Sequence, residues 1–141
     1  MYNTKFIKFI CLSALAVMLN GCGTVTRIDR EGQATDLQWK RMDQVILNHK
    51  QGIFPDQNSL AKIQQGMTKD QLYALIGAPH YNDGWRPKEW NYLFYFRTLN
   101  QGKNSVLACQ YKVTFDHDGL TRKFFWRPVS PETGICPPIG K

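Results

Sequence analysis

The sequence has no long run of consecutive apolar residues. Hydrophobic residues make up 43% of its 141 residues, but its main apolar stretch, Phe9 to Leu19, is only 11 residues long. A helix that spans a bilayer needs about 20 apolar residues. This stretch is therefore too short to cross a membrane, and we expect the remainder of the chain to form one modest domain.

Acidic residues are scarcer than basic ones, at 11 against 18, and the formal net charge is +7. The basic residues are scattered and form no run of five or more, so we expect no nucleic acid partner. A basic protein held near a membrane is attracted to anionic phospholipid headgroups. Ordinary solubility explains the charge equally well.

Catalytic motifs are also lacking. The sequence contains no Ser-centred nucleophile elbow, phosphate-cradling glycine loop, HExxH or Cys-x-x-Cys pattern. Asp116-His117-Asp118 looks like a metal or acid–base cluster, but neighbouring strand residues alternate between faces, so a turn is the better interpretation. His49 is isolated, and His80 is expected in a surface loop. We predict no enzyme, no metal site and no cofactor beyond a covalent lipid.

The first 21 residues are predicted to be a cleavable signal peptide, with Lys5 and Lys8 preceding the apolar stretch. The four residues that end at Cys22, Leu-Asn-Gly-Cys, resemble the lipobox of bacterial lipoproteins. That resemblance implies a diacylglyceryl group on the Cys22 thiol and an acylated amine, and several acyl chains give stable anchoring. A secreted protein with an incidental cysteine is the alternative. The rules of that class also imply that Gly23, where an Asp would retain the protein at the inner membrane, directs it to the periplasmic face of the outer membrane.

Four cysteines are present. Cys11 leaves with the signal peptide and Cys22 is blocked by lipid, so Cys109 and Cys136 remain as an even pair in an oxidising compartment. We predict a disulfide between them, worth about 3–4 kcal/mol on the chain-entropy model. Two free thiols are the alternative.

The region 22–50 is predicted to hold the lipidated Cys and a tether, flexible over 23–35, with a helix from Asp36 to Lys50. A short helix capped by Asp56 or Asn58 follows, ending near Gln64. The next helix starts at Thr68, whose spacing to Gln71 is typical of a capping box, and ends at Gly77 before Pro79. We further predict a domain over 51–127, followed by a Pro-rich extended tail over 128–141.

Two-residue alternation then predicts three antiparallel strands, at 89–98, 106–115 and 120–127, with an Asp-Gly turn before the last. The fold class is α+β, with two short helices on one face of the sheet. The helices are expected to cover the face of Trp90, Tyr92, Phe94 and Phe96. The opposite face, which includes Leu93, Tyr95 and Phe125, is either exposed as an interaction site or covered by 36–50 or the tail.

From Lys62 to Pro79 the sequence reads KIQQGMTKDQLYALIGAP, and Trp90-Asn91-Tyr92 follows. This pattern resembles the BamE (SmpA/OmlA) lipoprotein family, with similarity from about Lys50 to Trp126. The resemblance implies a small α+β lipoprotein of the outer membrane. Its implied role is as a non-enzymatic scaffold or accessory of β-barrel protein assembly and envelope integrity. Its implied partners are the assembly machinery's subunits, with phosphatidylglycerol binding.

The family's functional segment Q-G-N-Y matches Gln51, Gly52, Ile53 and Phe54, and a family Arg corresponds best to Arg97. With Tyr95, these are the candidate partner-binding residues. Alternatively, the same fold docks into a different envelope complex for the cell wall, secretion or stress response, or acts as an inhibitor-like binding module.

Overall fold

The structure, a computed structural model, describes residues 25–46, 51–100 and 103–138. The predicted signal peptide, Cys22 and His49 lie outside these ranges. Within them, no helix is both long and apolar enough to cross a membrane.

The central element is a three-stranded antiparallel sheet in the order β3-β4-β5. Its strands are β3 (Glu89–Asn100), β4 (Lys103–Phe115) and β5 (Thr121–Ser130). The predicted strands and the α+β class are confirmed. The first two predicted strands are too short at the ends that face each other, because the pairing continues past residues 98 and 106 to Leu99 and Asn104. The hydroxyls of Thr98 and Ser105 also lie 2.8 Å apart across this extension.

The turn between β4 and β5 is organised by Asp116. Its Oδ1 accepts the backbone N–H groups of Asp118 at 3.0 Å and Leu120 at 2.9 Å, and its Oδ2 accepts from Arg122 at 2.6 Å. Gly119 takes a φ of 79°, which glycine adopts without strain. The cluster that resembled a metal site is therefore a turn, as predicted.

The first helix, α1 (Gln57–Leu60), is a single turn and ends earlier than predicted. Asp56 caps it, because its carboxylate accepts the N–H of Ser59 at 2.9 Å.

The second helix, α2 (Lys69–Ile76), has the predicted boundaries. The Thr68 hydroxyl accepts the N–H of Gln71 at 3.2 Å, and the Gln71 side chain accepts the N–H of Thr68 at 2.9 Å. Gly77 ends the helix with a φ of 77°.

The helices cover the predicted face of the sheet. Leu72 and Ile76 from α2 pack into the main apolar core. The strands supply its buried aromatic and aliphatic members, Tyr92, Phe94, Phe96, Leu107, Tyr111, Val113 and Phe115. Trp90 packs against this core while remaining half-buried.

A disulfide joins Cys109 of β4 to Cys136, with their Cα atoms 5.9 Å apart. This prediction is confirmed. The tail prediction is wrong at its start, since β5 continues through Pro128 to Ser130. Beyond β5, Gly134 approaches the Leu107 side chain so closely that a Cβ there would collide with it.

The described part of the predicted flexible tether is instead a small hairpin of β1 (Arg27–Ile28) and β2 (Ala34–Thr35). Its turn includes Gly32, which is buried with a φ of 78° and has no room for a side chain beside Arg122. The low apolar content was misleading, because this hairpin packs against polar side chains of the sheet.

The predicted helix from Asp36 to Lys50 is also wrong over its described part. Asp36 has a φ of 52°, outside the helical region, and only Met42–Gln44 forms a 3-10 turn. Val45 is buried and pairs with Tyr81 as an isolated β-bridge. The apolar side chains therefore meet the sheet from an extended backbone.

Candidate docking surface

The second face of the sheet is polar along β4 and yet buried. Three alternate side chains, Gln110, Lys112 and Thr114, each hydrogen-bond to the N-terminal segment 25–46. Gln110 Nε2 donates to the carbonyl of Lys40, Lys112 Nζ to the Thr26 hydroxyl at 3.1 Å, and the Thr114 hydroxyl to the carbonyl of Gly32 at 2.6 Å. The alternatives left open by the sequence each hold for part of this face. Residues 25–46, which include part of the predicted 36–50, cover its β4 row, whereas Tyr95 is half-buried and Arg97 is exposed near the end of β3.

Lys112 lies at the centre of this face and is fully buried. Its Nζ lies 2.6 Å from Oε2 of Glu89. Burial lowers the pKa of Lys112, and the hydrogen bond that Lys112 donates to Glu89 opposes that shift. The ring of Trp39 in the N-terminal segment lies close to both Lys112 and Arg127, with the two cationic groups 5.6 and 5.4 Å from its centroid. Trp39 therefore adds cation–π contacts to this buried lysine and to Arg127.

The surface-loop prediction for His80 is wrong, because only 2% of this residue is exposed. The N–H of Leu93 lies 2.9 Å from its Nδ1, while the Leu93 carbonyl accepts from Ile53 N–H at 3.2 Å. The same Nδ1 also lies 3.0 Å from the Leu93 carbonyl oxygen, so both backbone polar groups of Leu93 are within hydrogen-bond distance of the ring. Burial lowers the pKa of His80 to about 4. The ring therefore accepts a backbone N–H at the free edge of β3, on the side away from β4.

Asp83 supplies hydrogen-bond acceptors to the same edge of β3, two residues before Leu93. Its Oδ2 accepts the N–H of Asn91 at 3.0 Å, and its Oδ1 accepts from the Asn91 side chain at 2.7 Å. Burial raises the pKa of Asp83 to about 6, although both bonds from Asn91 and the charge of Lys40 oppose the rise.

The segment that begins at Gln51 runs along the free edge of β3. Ile53 donates its N–H to the Leu93 carbonyl at 3.2 Å and accepts the N–H of Tyr95 at 2.8 Å. Gly52 permits this approach, because a Cβ there would collide with the carbonyl oxygen of Leu93. The backbone of 52–53 therefore acts as a short extra strand that places the next residue, Phe54.

Phe54, Tyr95, Arg97 and Val106 form a surface cluster that we call the docking patch, in which Tyr95 is half-buried and the other three are exposed. The rings of Phe54 and Tyr95 have centroids 5.7 Å apart, and the guanidinium of Arg97 lies 4.7 Å from the Phe54 centroid. Val106 faces Arg97 across the β3–β4 pair. Phe54 and Val106 are each 49% exposed. An arginine stacked on an aromatic ring beside an aliphatic side chain is typical of interface centres.

The structure separates the candidate partner-binding residues into two groups. Phe54, Tyr95 and Arg97 come together in the docking patch. Ile53 packs against the helix-side core instead, and Gln51 is exposed. Val106 was missed, because its pairing with Arg97 depends on the strand register, which the alternation of residues does not reveal.

The metal-binding groups and cavities among the described residues bear on what chemistry the domain can hold. The described residues contain no group of three metal-ligating side chains. A groove of about 330 Å³ on the helix side is lined mostly by apolar groups such as Leu60, Ile63, Phe124 and Trp126. Burial raises the pKa of Tyr111, whose side chain also lines it, so its hydroxyl stays protonated at neutral pH. The docking patch is suited to contact rather than to proton transfer.

Comparison with known families matches residues 52–124 to the model described as the outer membrane protein assembly factor BamE domain. The match covers just over half of the 141 residues. It includes both α-helices, β3, β4 and the start of β5, together with all four docking-patch positions, while the N-terminal hairpin and the disulfide-linked tail lie outside it.

Proposed function

The chain belongs to the BamE family of outer membrane protein assembly factors, and on that premise we propose that it is a non-enzymatic, lipid-anchored accessory of β-barrel assembly. Cys22 carries the lipid, and the domain faces the periplasm from the outer membrane. The docking patch contacts a protein subunit of the assembly machinery. The resemblance of the 62–79 motif to this family is confirmed.

The observation that carries the docking role is the stack of Arg97 on Phe54. Phe54 is half exposed, yet its backbone is fixed by the pairing of Ile53 with β3. A side chain that is already held in place loses little conformational freedom on binding, so its apolar area contributes more of its free energy to affinity. The cation beside it favours a partner surface that carries carboxylates.

Co-purification from detergent-solubilised outer membranes tests this role. We expect assembly subunits to be recovered with the wild-type chain and lost with Phe54→Ala combined with Arg97→Ala. Removing such a pair should cost about 2 kcal/mol of binding free energy, or roughly 30-fold in affinity. Tyr73→Ala is the matched control, because Tyr73 is an exposed aromatic on α2, away from the patch.

Two outcomes would contradict different parts of the proposal. Recovery of the wild-type chain with a different envelope complex, and no assembly subunit, would overturn the assembly role. Unchanged recovery by the double variant would overturn only the docking patch. The anchor is tested separately by mass measurement of the mature N-terminus, where an unmodified Cys22 would contradict it.

A further inference from the structure

Trp85 is the most exposed large hydrophobic residue of the described chain, with 90% of its surface accessible. It lies in the loop 82–88 that connects α2 to β3, and the aromatic and cation–π contacts of the described residues do not involve it. The docking patch does not include it, and the family motif does not require it. Its exposure therefore calls for a separate explanation.

The loop presents Trp85 from a fixed backbone. Asn82 accepts the N–H of Gly84 at 3.0 Å, and the carbonyl of Pro87 accepts from Lys69 Nζ at 2.8 Å. The carbonyl of Lys88 accepts the N–H of Phe115 at 2.8 Å. Before the tryptophan, Asp83 is held by its two bonds from Asn91 of β3. The loop is therefore fixed on both sides of Trp85, to the sheet before it and to α2 and the sheet after it.

The exposed charged side chains next to Trp85 are positive. Arg86 and Lys88 are exposed. The two carboxylates nearest in sequence point inward instead, with Asp83 bonded to Asn91 and Glu89 to Lys112. The outer surface of the loop thus combines one indole ring with two cations.

The loop also lies next to the chain that leads to the expected lipid anchor. Lys88 Nζ lies 3.4 Å from the carbonyl of Ile28 in β1. The described chain begins at Val25, which is 73% exposed. Val25 is three residue steps from Cys22, and at about 3.5 Å each these span at most about 10 Å. A lipid on Cys22 therefore brings this end of the domain to the headgroups.

We propose that Trp85, Arg86 and Lys88 form a second membrane contact, in which the indole enters the interface of an anionic bilayer and the two cations bind its headgroups. This inference rests on the proposed anchor at Cys22 and not on the docking patch. Tryptophan is favoured at membrane interfaces because its ring is apolar and its N–H is polar. Cations near an anionic leaflet add attraction that salt weakens. Together with the lipid, the contact fixes the domain's orientation on the bilayer.

Fluorescence quenching tests this contact. The lipidated mature chain is reconstituted without other proteins into phosphatidylethanolamine–phosphatidylglycerol vesicles whose lipids carry bromine near the headgroup end of the acyl chains. We expect quenching of the tryptophan emission, and we expect Trp85→Phe to remove most of that quenching. Arg86→Gln with Lys88→Gln should reduce it in these vesicles and have no effect in phosphatidylcholine vesicles.

A matched control moves the same side chain to the far end of β3. Leu99 is 77% exposed and is separated from the loop by about 30 Å of strand. Leu99→Trp in the Trp85→Phe chain should show no added quenching.

Equal quenching of a tryptophan at positions 85 and 99, or none at position 85, would overturn the proposal. If position 85 crosslinks to a protein in the native envelope and is not quenched here, the loop is a protein contact instead. Because the vesicles contain no assembly subunit, these outcomes are independent of the co-purification result.

Discussion

Lys112 Nζ lies 2.6 Å from the carboxylate of Glu89 beneath the N-terminal segment, and the lysine side chain has no access to solvent. The ammonium of Lys112 and the carboxylate of Glu89 neutralise each other in a buried position where water solvates neither group well. Removing one partner of such a pair leaves an uncompensated buried charge, which costs far more than the pair contributes.

We therefore expect Glu89→Gln to lower the free energy of unfolding by about 3 kcal/mol. Combining it with Lys112→Met should recover much of that loss, because the unpaired charge is then gone. Urea unfolding of the two variants measures this. A double variant that is as unstable as the sum of the single ones would contradict the pairing. Arg41→Gln, which removes an exposed ion pair with Asp43, is the control.

The burial of His80 predicts a pH dependence of stability. The pKa of His80 is about 4 in the folded chain against 6.5 for an ordinary histidine, so the unfolded chain binds more protons between those values. The His80 contribution to stability is then complete above pH 6.5 and is lost as the pH falls towards 4, by about 3 kcal/mol. Asp83 acts in the opposite sense, since its pKa is raised to about 6.

A comparison with His80→Asn isolates the histidine, because Asp83 is present in both chains and asparagine can still accept the N–H of Leu93. Chemical denaturation at several pH values should show the wild-type chain losing stability relative to His80→Asn below pH 6.5. Parallel curves over pH 4–6.5 would show that His80 is not the titrating group.

Gly52 is expected to tolerate no side chain. Gly52→Ala directs a methyl group into the Leu93 carbonyl, which should cost about 2 kcal/mol of unfolding free energy. The backbone of segment 51–54 should then move away from β3, which separates Phe54 from Arg97 and weakens the recovery of the partner. Thermal unfolding and co-purification measure the two effects. Gln51→Ala, at the exposed neighbouring position, should change neither.

The disulfide is expected to stabilise the fold through the loop that it closes. Its cysteines are 27 residues apart, which corresponds to about 3.5 kcal/mol on the chain-entropy model. Cys136→Ser keeps the buried Cys109 as a small apolar side chain and should lose about that amount in urea unfolding. In the wild-type mature chain, thiol titration after unfolding without reductant should find neither cysteine free.

Local chemistry made part of this structure predictable. The Thr68–Gln71 capping box and Gly77 define α2 within the chain itself, and the alternating aromatic residues define β3 and the face that the helices cover. The Asp-Gly turn likewise depends only on neighbouring residues. These features need no distant partner, so the family motif and the fold class could be recognised in advance.

What only the tertiary structure decided is where polar residues are buried. Gln110, Lys112 and Thr114 alternate along β4 as a solvent-facing row would, and segment 25–46 has little apolar content before Asp36. Each forms a buried layer because the other supplies its hydrogen bonds over a distance of about 70 residues or more. The same is true of His80, whose burial depends on an N–H of β3. Periodicity reports the polarity of a side chain, but only the folded chain supplies the partners that make its burial stable.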